Sequence, residues 1–284
     1  MLSASAEKRI IRSRKRRGPL AISPVARDTE FVTVLDHISK RKSLHIYGEE
    51  GVGKSAFLDQ VYDFLKARGA VVSIYCRSSR TLRDILLQMA LFLLGHFIHL
   101  ESVDKFKRVK EIQCGSDIKK LSIKALRNIV YFYISLGDFC VILDHLEYVT
   151  PKINGFLTIL YEKATVITAS RQSWKLTNYS FKGRLDYCLY LIPKLCIENL
   201  KRKDAFLLIE ILCRNLHADF PARQRMFEEV FRISKGNPGF IAKIFEKARR
   251  PEYHKDNRLD LRLIMLDSRM EGIMGKIDAM KYGR

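Results

Sequence analysis

The chain has 284 residues, of which 47% are hydrophobic and 29% charged, with a formal net charge of +20. This balance excludes a disordered polymer and leaves room for a large core and more than one domain. The basic excess points to a polyanionic partner, and the most apolar run, Ile85 to Ile98, is too short to span a bilayer, so no membrane role is expected.

Residues 1–23 read as a basic, flexible arm. In EKRIIRSRKRRG the cations Lys8, Arg9, Arg12, Arg14, Lys15, Arg16 and Arg17 are set against Glu7 alone, and Gly18-Pro19 close the stretch. The uninterrupted apolar segment of a secretory signal does not follow these charges. Cys76, Cys114, Cys140, Cys188, Cys196 and Cys213 lack C-x-x-C or other metal-ligand spacing. They are expected to be reduced, mostly buried thiols of a cytoplasmic protein.

Next comes SPVARDTEFVTVLDHISKRKS, in which Phe31, Val34, Leu35 and Ile38 recur at helical spacing. Ser43–Tyr47 is a short strand. It feeds GEEGVGKS, residues 48–55, where Gly48, Gly53, Lys54 and Ser55 complete the pattern G-x-x-x-x-G-K-[ST]. Ser55 to Arg68 is the helix opened by that loop, and Gly69 ends it. Ala70–Tyr75 is the second strand, and a buried helix from about Thr81 to Leu100 follows. The segment from Glu101 to Lys124 is polar and basic, with Lys105, Lys107, Arg108, Lys110, Lys119, Lys120 and Lys124. A helix around Ser122–Leu136 leads to DFCVILD, whose continuous apolar run marks a strand buried on both faces. A helix near Lys152–Lys163 precedes the strand ATVITAS, and LDYCLYLI is expected to form one more.

Strands alternating with helices imply βαβ units and a mainly parallel sheet, hence an α/β domain over residues 24–195. From Ile197 onward the strand signals stop. KRKDAFLLIEILCRN, PARQRMFEEVFRISK and PGFIAKIFEKARR all carry helical periodicity. Residues 196–284 are therefore expected to form a small all-α domain, closed by a helix near Leu259–Met280.

The chemistry follows from three strand ends. Backbone N–H groups of a glycine-rich turn and of the helix it opens converge on phosphates. Gly48, Glu49, Glu50, Gly51, Val52, Gly53, Lys54, Ser55 and Ala56 form that expected cradle for ATP. Lys54 would reach the β- and γ-phosphates, and the Ser55 hydroxyl would ligate Mg²⁺. Asp144, behind the strand FCVIL, fits a carboxylate that holds the same Mg²⁺ through water. A second acid directly after it would position an attacking water, but His145 stands there and the next acid is Glu147. Glu147 could serve as base if the strand end turns sharply, or hydrolysis could be slow. His145 reads as a surface or polar-contact residue. Arg171, at the end of TASR, sits where a cation would tell a triphosphate from a diphosphate.

With these residues in place, the chain resembles the AAA-related and STAND branch of P-loop ATPases over about residues 24–250. VARDTEF, Val25 to Phe31, is similar to the family's opening motif, with Ala26 where Gly is usual. LHIYGEEGVGKSAFL resembles its Walker A segment, VILDHLE its Walker B segment and TASR its strand-end sensor. GNPGFI, Gly236 to Ile241, is similar to the Gly-x-Pro element with which STAND lids touch the nucleotide. The resemblance implies a P-loop NTPase α/β domain with a helical lid. It also implies adenine near Val25 and Ala26, Pro238 beside the nucleotide, and Mg-ATP in the cleft. Relatives that oligomerise complete a neighbour's site with an arginine finger, for which Arg184 is a candidate and Arg77 and Arg80 are competitors.

Two functions fit these features. One is a slow, DNA-associated ATPase whose nucleotide state controls homo-oligomer assembly and non-specific binding of double-stranded DNA through the basic clusters. The other is a STAND-type switch that acts on protein partners without nucleic acid. A small-molecule kinase would leave the basic arm without a role.

Overall fold

The computed structural model describes residues 26–97, 115–147, 149–171, 189, 192–215, 223–255, 258–268 and 270–271. The basic arm, Val25, Arg184 and the cluster from Lys105 to Lys110 lie outside the described residues.

The chain divides into two compact units: Met1–Glu49 with Lys54–Ile197, and Glu50–Gly53 with Glu198–Arg284. The glycine loop is thus split, its tip grouping with the C-terminal unit.

The described part of the first unit alternates helix and strand. Helix α1 (Asp28–Ser39) buries Phe31, Val34 and Ile38 on one face. It is followed by β1 (Leu44–Tyr47) and then α2 (Lys54–Arg68), which buries Phe57, Leu58, Val61 and Leu65 at helical spacing. Strand β2 (Val72–Cys76) and helix α3 (Leu82–Phe97) come next. A six-residue helix, α4 (Gly115–Lys120), interrupts the segment expected to be only polar and basic. Helix α5 (Ile123–Ile134) starts where Ser122 Oγ accepts from the Ala125 N–H at 3.2 Å. Strand β3 (Phe139–Leu143) is buried at every residue. Helix α6 (Pro151–Lys163) has Thr150 as its cap and Pro151 at its first turn, where a missing N–H costs nothing. Strand β4 (Thr165–Ser170) is likewise wholly buried.

The five-stranded sheet has the order β2-β3-β4-β1-β5 and every pairing is parallel. Strand β5 (Lys194–Cys196) pairs with β1, and the Pro193 carbonyl accepts the His45 N–H at 2.9 Å. Of the strand expected over residues 185–192, all but Leu189, which is helical, and Ile192, which lies in a bend, lie outside the described residues. The strand described on the side of β1 away from β4 is Lys194–Cys196. The core packs helices α3, α5 and α6 against β2, β3 and β4 through Leu86, Met89, Leu93, Leu126, Tyr133 and Phe156. Each fully buried Leu or Phe of this set contributes about 1.5–3 kcal/mol relative to exposure.

The second unit is built on α7 (Arg202–Asn215), α8 (Arg223–Ser234) and α9 (Pro238–Lys247). Leu208, Ile209, Phe227, Val230, Ile241, Ile244 and Phe245 are its buried apolar residues. It is not all helical. Strands β6 (His254–Lys255) and β7 (Arg258–Leu259) form an antiparallel ribbon before the helix over residues 261–268. Two-residue strands are too short to show alternation, so the pattern of the sequence carries no sign of them.

Cys76, Cys140 and Cys213 are buried free thiols, and Cys196 is exposed. Burial pushes the Cys76 and Cys140 thiols up to about 12, which keeps them protonated and unreactive. No helix among the described residues is long and apolar enough to cross a membrane.

Candidate functional site

The strand order puts β1 beside β4 and β4 beside β3. Because all three run the same way, their carboxyl ends meet on one edge, with Tyr47 level with Ser170 and Leu143 level with Thr168. Ligands of open α/β sheets bind outside such carboxyl ends. The three segments singled out in the sequence, GEEGVGKS, DHLE and TASR, all leave the sheet there.

At the glycine loop, Gly51 and Gly53 hold φ of +83° and +93°, a region closed to most side chains. Lys54 opens α2 with its side chain buried. Its ammonium donates to the carbonyls of Gly48 and Glu49, at 2.8 Å each. The lysine therefore lies along the inside of the loop, anchored to the carbonyls at its start. Ser55 follows, and its Oγ lies 3.4 Å from His145 Nε2.

Asp144 is the next element of the site, 3% exposed at the end of β3. Its Oδ1 accepts the His145 backbone N–H at 2.8 Å, and its Oδ2 accepts the Tyr75 hydroxyl at 3.3 Å. Burial first, and the Asp144 charge second, push the Tyr75 hydroxyl well above its ordinary range, so it remains a donor. Arg77 lies over the Tyr75 ring at 4.8 Å and pairs with Asp59 at 2.6 Å. Tyr75 belongs to no motif, and nothing in the sequence singles it out. Only the pairing of β2 with β3 brings it to Asp144.

The turn after β3 is sharp. His145 has φ of +57°, and the Glu147 N–H returns to the His145 carbonyl at 2.9 Å. A left-handed non-glycine residue costs roughly 1–2 kcal/mol, and such positions gather at functional sites. The His145 imidazole is exposed and makes polar contacts. It lies between Ser55 and Asp144, 3.7 Å from Asp144 Oδ2. Glu147 turns toward the end of β4. Both of its carboxylate oxygens accept the Arg171 N–H, at 3.0 and 3.1 Å, and the Arg171 guanidinium lies 3.6 Å away. Glu147 and Arg171, separated in sequence by α6 and β4, thus form one pair.

Below this layer, His45 of β1 is buried between the hydroxyls of β4. Its Nδ1 is 2.7 Å from Thr168 Oγ1 and its Nε2 is 3.2 Å from Ser170 Oγ. Burial, with a smaller push from Lys194, lowers its pKa to about 4, so the ring is neutral and serves as one donor and one acceptor. The two hydroxyls of TAS are therefore committed to the strand beneath the loop. In the sequence His45 is legible only as one member of an apolar run.

Within the second unit, the loop tip meets the start of α9. Asn237 caps that helix by accepting the Phe240 N–H at 3.0 Å, and its amide donates to the Glu50 carbonyl at 2.8 Å. The Gly239 N–H donates to the Gly51 carbonyl at 2.8 Å. A Cβ on Gly239 would stand 2.8 Å from Gly51 Cα, so only glycine allows this approach. Pro238 occupies the first turn of α9, and the groups that bond the loop are its neighbours Asn237 and Gly239. Near the chain start, Ala26 has φ of +58°, which gives the physical reason for glycine at that place in the resembling motif.

A cavity of about 850 Å³ lies elsewhere, at the amino ends of β2, β3 and β4, lined by Leu35, Phe64, Ala70, Asp138, Tyr161 and Thr165. None of the residues at the carboxyl ends of the strands lines it.

The donor set fits a hard cation beside a polyphosphate. A hydroxyl oxygen and a buried carboxylate oxygen both lie within 4 Å of His145 Nε2. Among the described residues no group of three His, Cys, Asp or Glu side chains could hold a metal by itself. A hydroxyl with one carboxylate would suit Mg²⁺, which takes one or two carboxylates and completes its shell with phosphate and water. Ser55 and Asp144 are the residues that would hold it.

The fold as a whole has counterparts in solved structures. The fold is one shared with a Walker-type ATPase and with ORC proteins. The Walker-type ATPase PABY2304 of Pyrococcus abyssi is similar to this chain with a TM-score of 0.57 and 17% identity, covering 90% of this chain and 75% of its own. The ORC1 protein of Aeropyrum pernix, solved in complex with DNA, has a TM-score of 0.58 and 17% identity, covering 87% of this chain. The ORC2 protein of the same organism, solved in ADPNP–ADP complexes, has a TM-score of 0.52 and 12% identity, covering 84% of this chain. The chain spans 65% of that ORC1 and 66% of that ORC2. No protein-family model matches the sequence, and no curated protein matches it.

Proposed function

We propose that the chain is an Mg-ATP-binding, slowly hydrolysing regulator whose nucleotide state controls homo-oligomer assembly and non-specific binding of double-stranded DNA. The observation that carries this reading is the meeting of Lys54, Ser55, Asp144 and the Glu147–Arg171 pair at one sheet edge. The cation, when bound, neutralises charge on the phosphates. Lys54, which donates to the Gly48 and Glu49 carbonyls, would bind phosphate oxygens, and Ser55 and Asp144 would hold the cation. Glu147 accepts from the Arg171 N–H, so its carboxylate is engaged away from any water it would activate. That engagement supports slow turnover. Arg171, paired here with Glu147, would be the cation that meets a γ-phosphate. Asn237 and Gly239 bond the carbonyls of Glu50 and Gly51, which ties the loop tip to the helices it groups with.

The net charge of +20 and the exposed Lys119, Lys120 and Lys124 support a polyanionic partner, as does the fold of an ORC1 protein solved with DNA. The contact between GNPG and the loop tip equally suits a switch read by a protein partner, and salt dependence separates the two. A fluorescent ATP analogue is expected to bind the wild-type chain, and Lys54→Ala is expected to weaken it by about 100-fold or more. ATP is expected to shift the size-exclusion profile of wild type only. Duplex DNA binding is expected to fall steeply with added salt. Equal nucleotide affinity in Lys54→Ala would overturn the nucleotide reading. DNA migration unchanged at low salt would favour the protein partner.

A further inference from the structure

The residue after the buried acid at the end of β3 is a histidine, and its side chain stays within the site. Its Nε2 is 3.4 Å from Ser55 Oγ, the hydroxyl assigned to the cation, and 3.7 Å from Asp144 Oδ2, the carboxylate assigned to hold the cation through water. Neighbouring donors on an octahedral cation with bonds of 2.0–2.1 Å stand about 3 Å apart. The Ser55 separation exceeds that by a few tenths of an ångström, a gap that a small rotation of the exposed imidazole would close.

The backbone fixes this placement. His145 holds the left-handed conformation, its N–H is bound to Asp144 Oδ1 at 2.8 Å, and the Leu146 N–H is bound to the Ala169 carbonyl of β4 at 2.8 Å. The turn is therefore tied at both ends, and the imidazole is 41% exposed toward open space rather than packed into the core. Nothing in strand geometry requires histidine at this point, since Gly or Asn would adopt the same φ more readily.

We infer that His145 Nε2 is a ligand of the nucleotide-bound divalent cation, and that it shifts the preference of the site from Mg²⁺ toward Mn²⁺ and Co²⁺. The inference rests on the nucleotide reading above. An all-oxygen shell suits Mg²⁺, whereas an imidazole nitrogen raises affinity for first-row transition cations and adds little for Mg²⁺.

The test uses the full chain with AMPPCP as the nucleotide and Mg²⁺, Mn²⁺ or Co²⁺ as the cation. Pulsed electron paramagnetic resonance of the Mn²⁺–AMPPCP complex is expected to show a directly bonded nitrogen, and ¹⁵N-histidine labelling is expected to change its coupling. The coupling is expected to vanish in His145→Asn, which tolerates the left-handed backbone and offers no imidazole. Titration with each cation is expected to show the Co²⁺-to-Mg²⁺ affinity ratio falling about tenfold in His145→Asn and again in His145→Gly. No nitrogen coupling in wild type, or an unchanged ratio in both variants, overturns the inference. A fluorescent nucleotide bound equally well by wild type and variants with Mg²⁺ shows that the nucleotide reading stands by itself. Failure of the wild-type chain to bind nucleotide with any cation overturns both.

Discussion

The glycine loop and the turn after β3 leave the same sheet edge, and both contain left-handed backbone. In the loop the strained positions are Gly51 and Gly53, which have no side chain to lose. In the turn the strained position is His145, which keeps a large polar side chain at a conformational cost. The first arrangement serves peptide N–H groups and needs only that the backbone come close. The second keeps a side chain, whose imidazole lies 3.4 Å from Ser55 Oγ. The same contrast appears in the second unit, where Gly239 is required by its 2.8 Å approach to Gly51.

Four measurements would break or sharpen this comparison. The largest effect belongs to His45, which ties β1 to β4 beneath both segments. Its pKa falls from the ordinary 6.5 to about 4 on folding, so the unfolded chain takes up a proton first as pH drops. Stability is then fully present above about 6.5, is lost as pH falls toward 4, and changes by about 3 kcal/mol over that window. Denaturant unfolding at several pH values is expected to show this slope in wild type and not in His45→Asn.

Gly239→Ala is expected to cost about 2 kcal/mol, because its Cβ meets backbone that cannot yield, and to weaken nucleotide binding as the loop shifts. His145→Gly is expected to gain about 1 kcal/mol in stability by releasing left-handed strain. A loss of stability there would mean that the contact with Ser55 outweighs the backbone cost. Ala26→Gly is expected to gain somewhat less than about 1 kcal/mol, because the same relief is offset by a freer unfolded chain. Thermal unfolding read alongside nucleotide affinity separates these small shifts from changes in the site.

Much of the site is legible along the chain. Lys54 and Ser55 follow from a local pattern behind a strand, and Asp144 follows from a buried run that ends in an acid. The Glu147–Arg171 pair is not legible in this way, since each residue is ordinary by itself and they meet only because β3 and β4 are neighbours. Tyr75 reaches Asp144 by the same route, through β2. His45 is hidden in an apolar run, because a neutral buried imidazole behaves as an apolar residue in the pattern of a strand. Strand β5 at Lys194–Cys196 is three residues long and carries too short a pattern to be read along the chain.

What depends on near neighbours is written in the sequence: the glycine loop, the buried strands and the alternation that makes a parallel sheet. Periodicity and turn chemistry act over a few residues, so they are written along the chain. The tertiary structure decided which strand ends face one another, which hydroxyls His45 occupies, and that the imidazole of His145 lies against Ser55. Those contacts join residues tens to more than a hundred positions apart, and strand order rather than local propensity sets them.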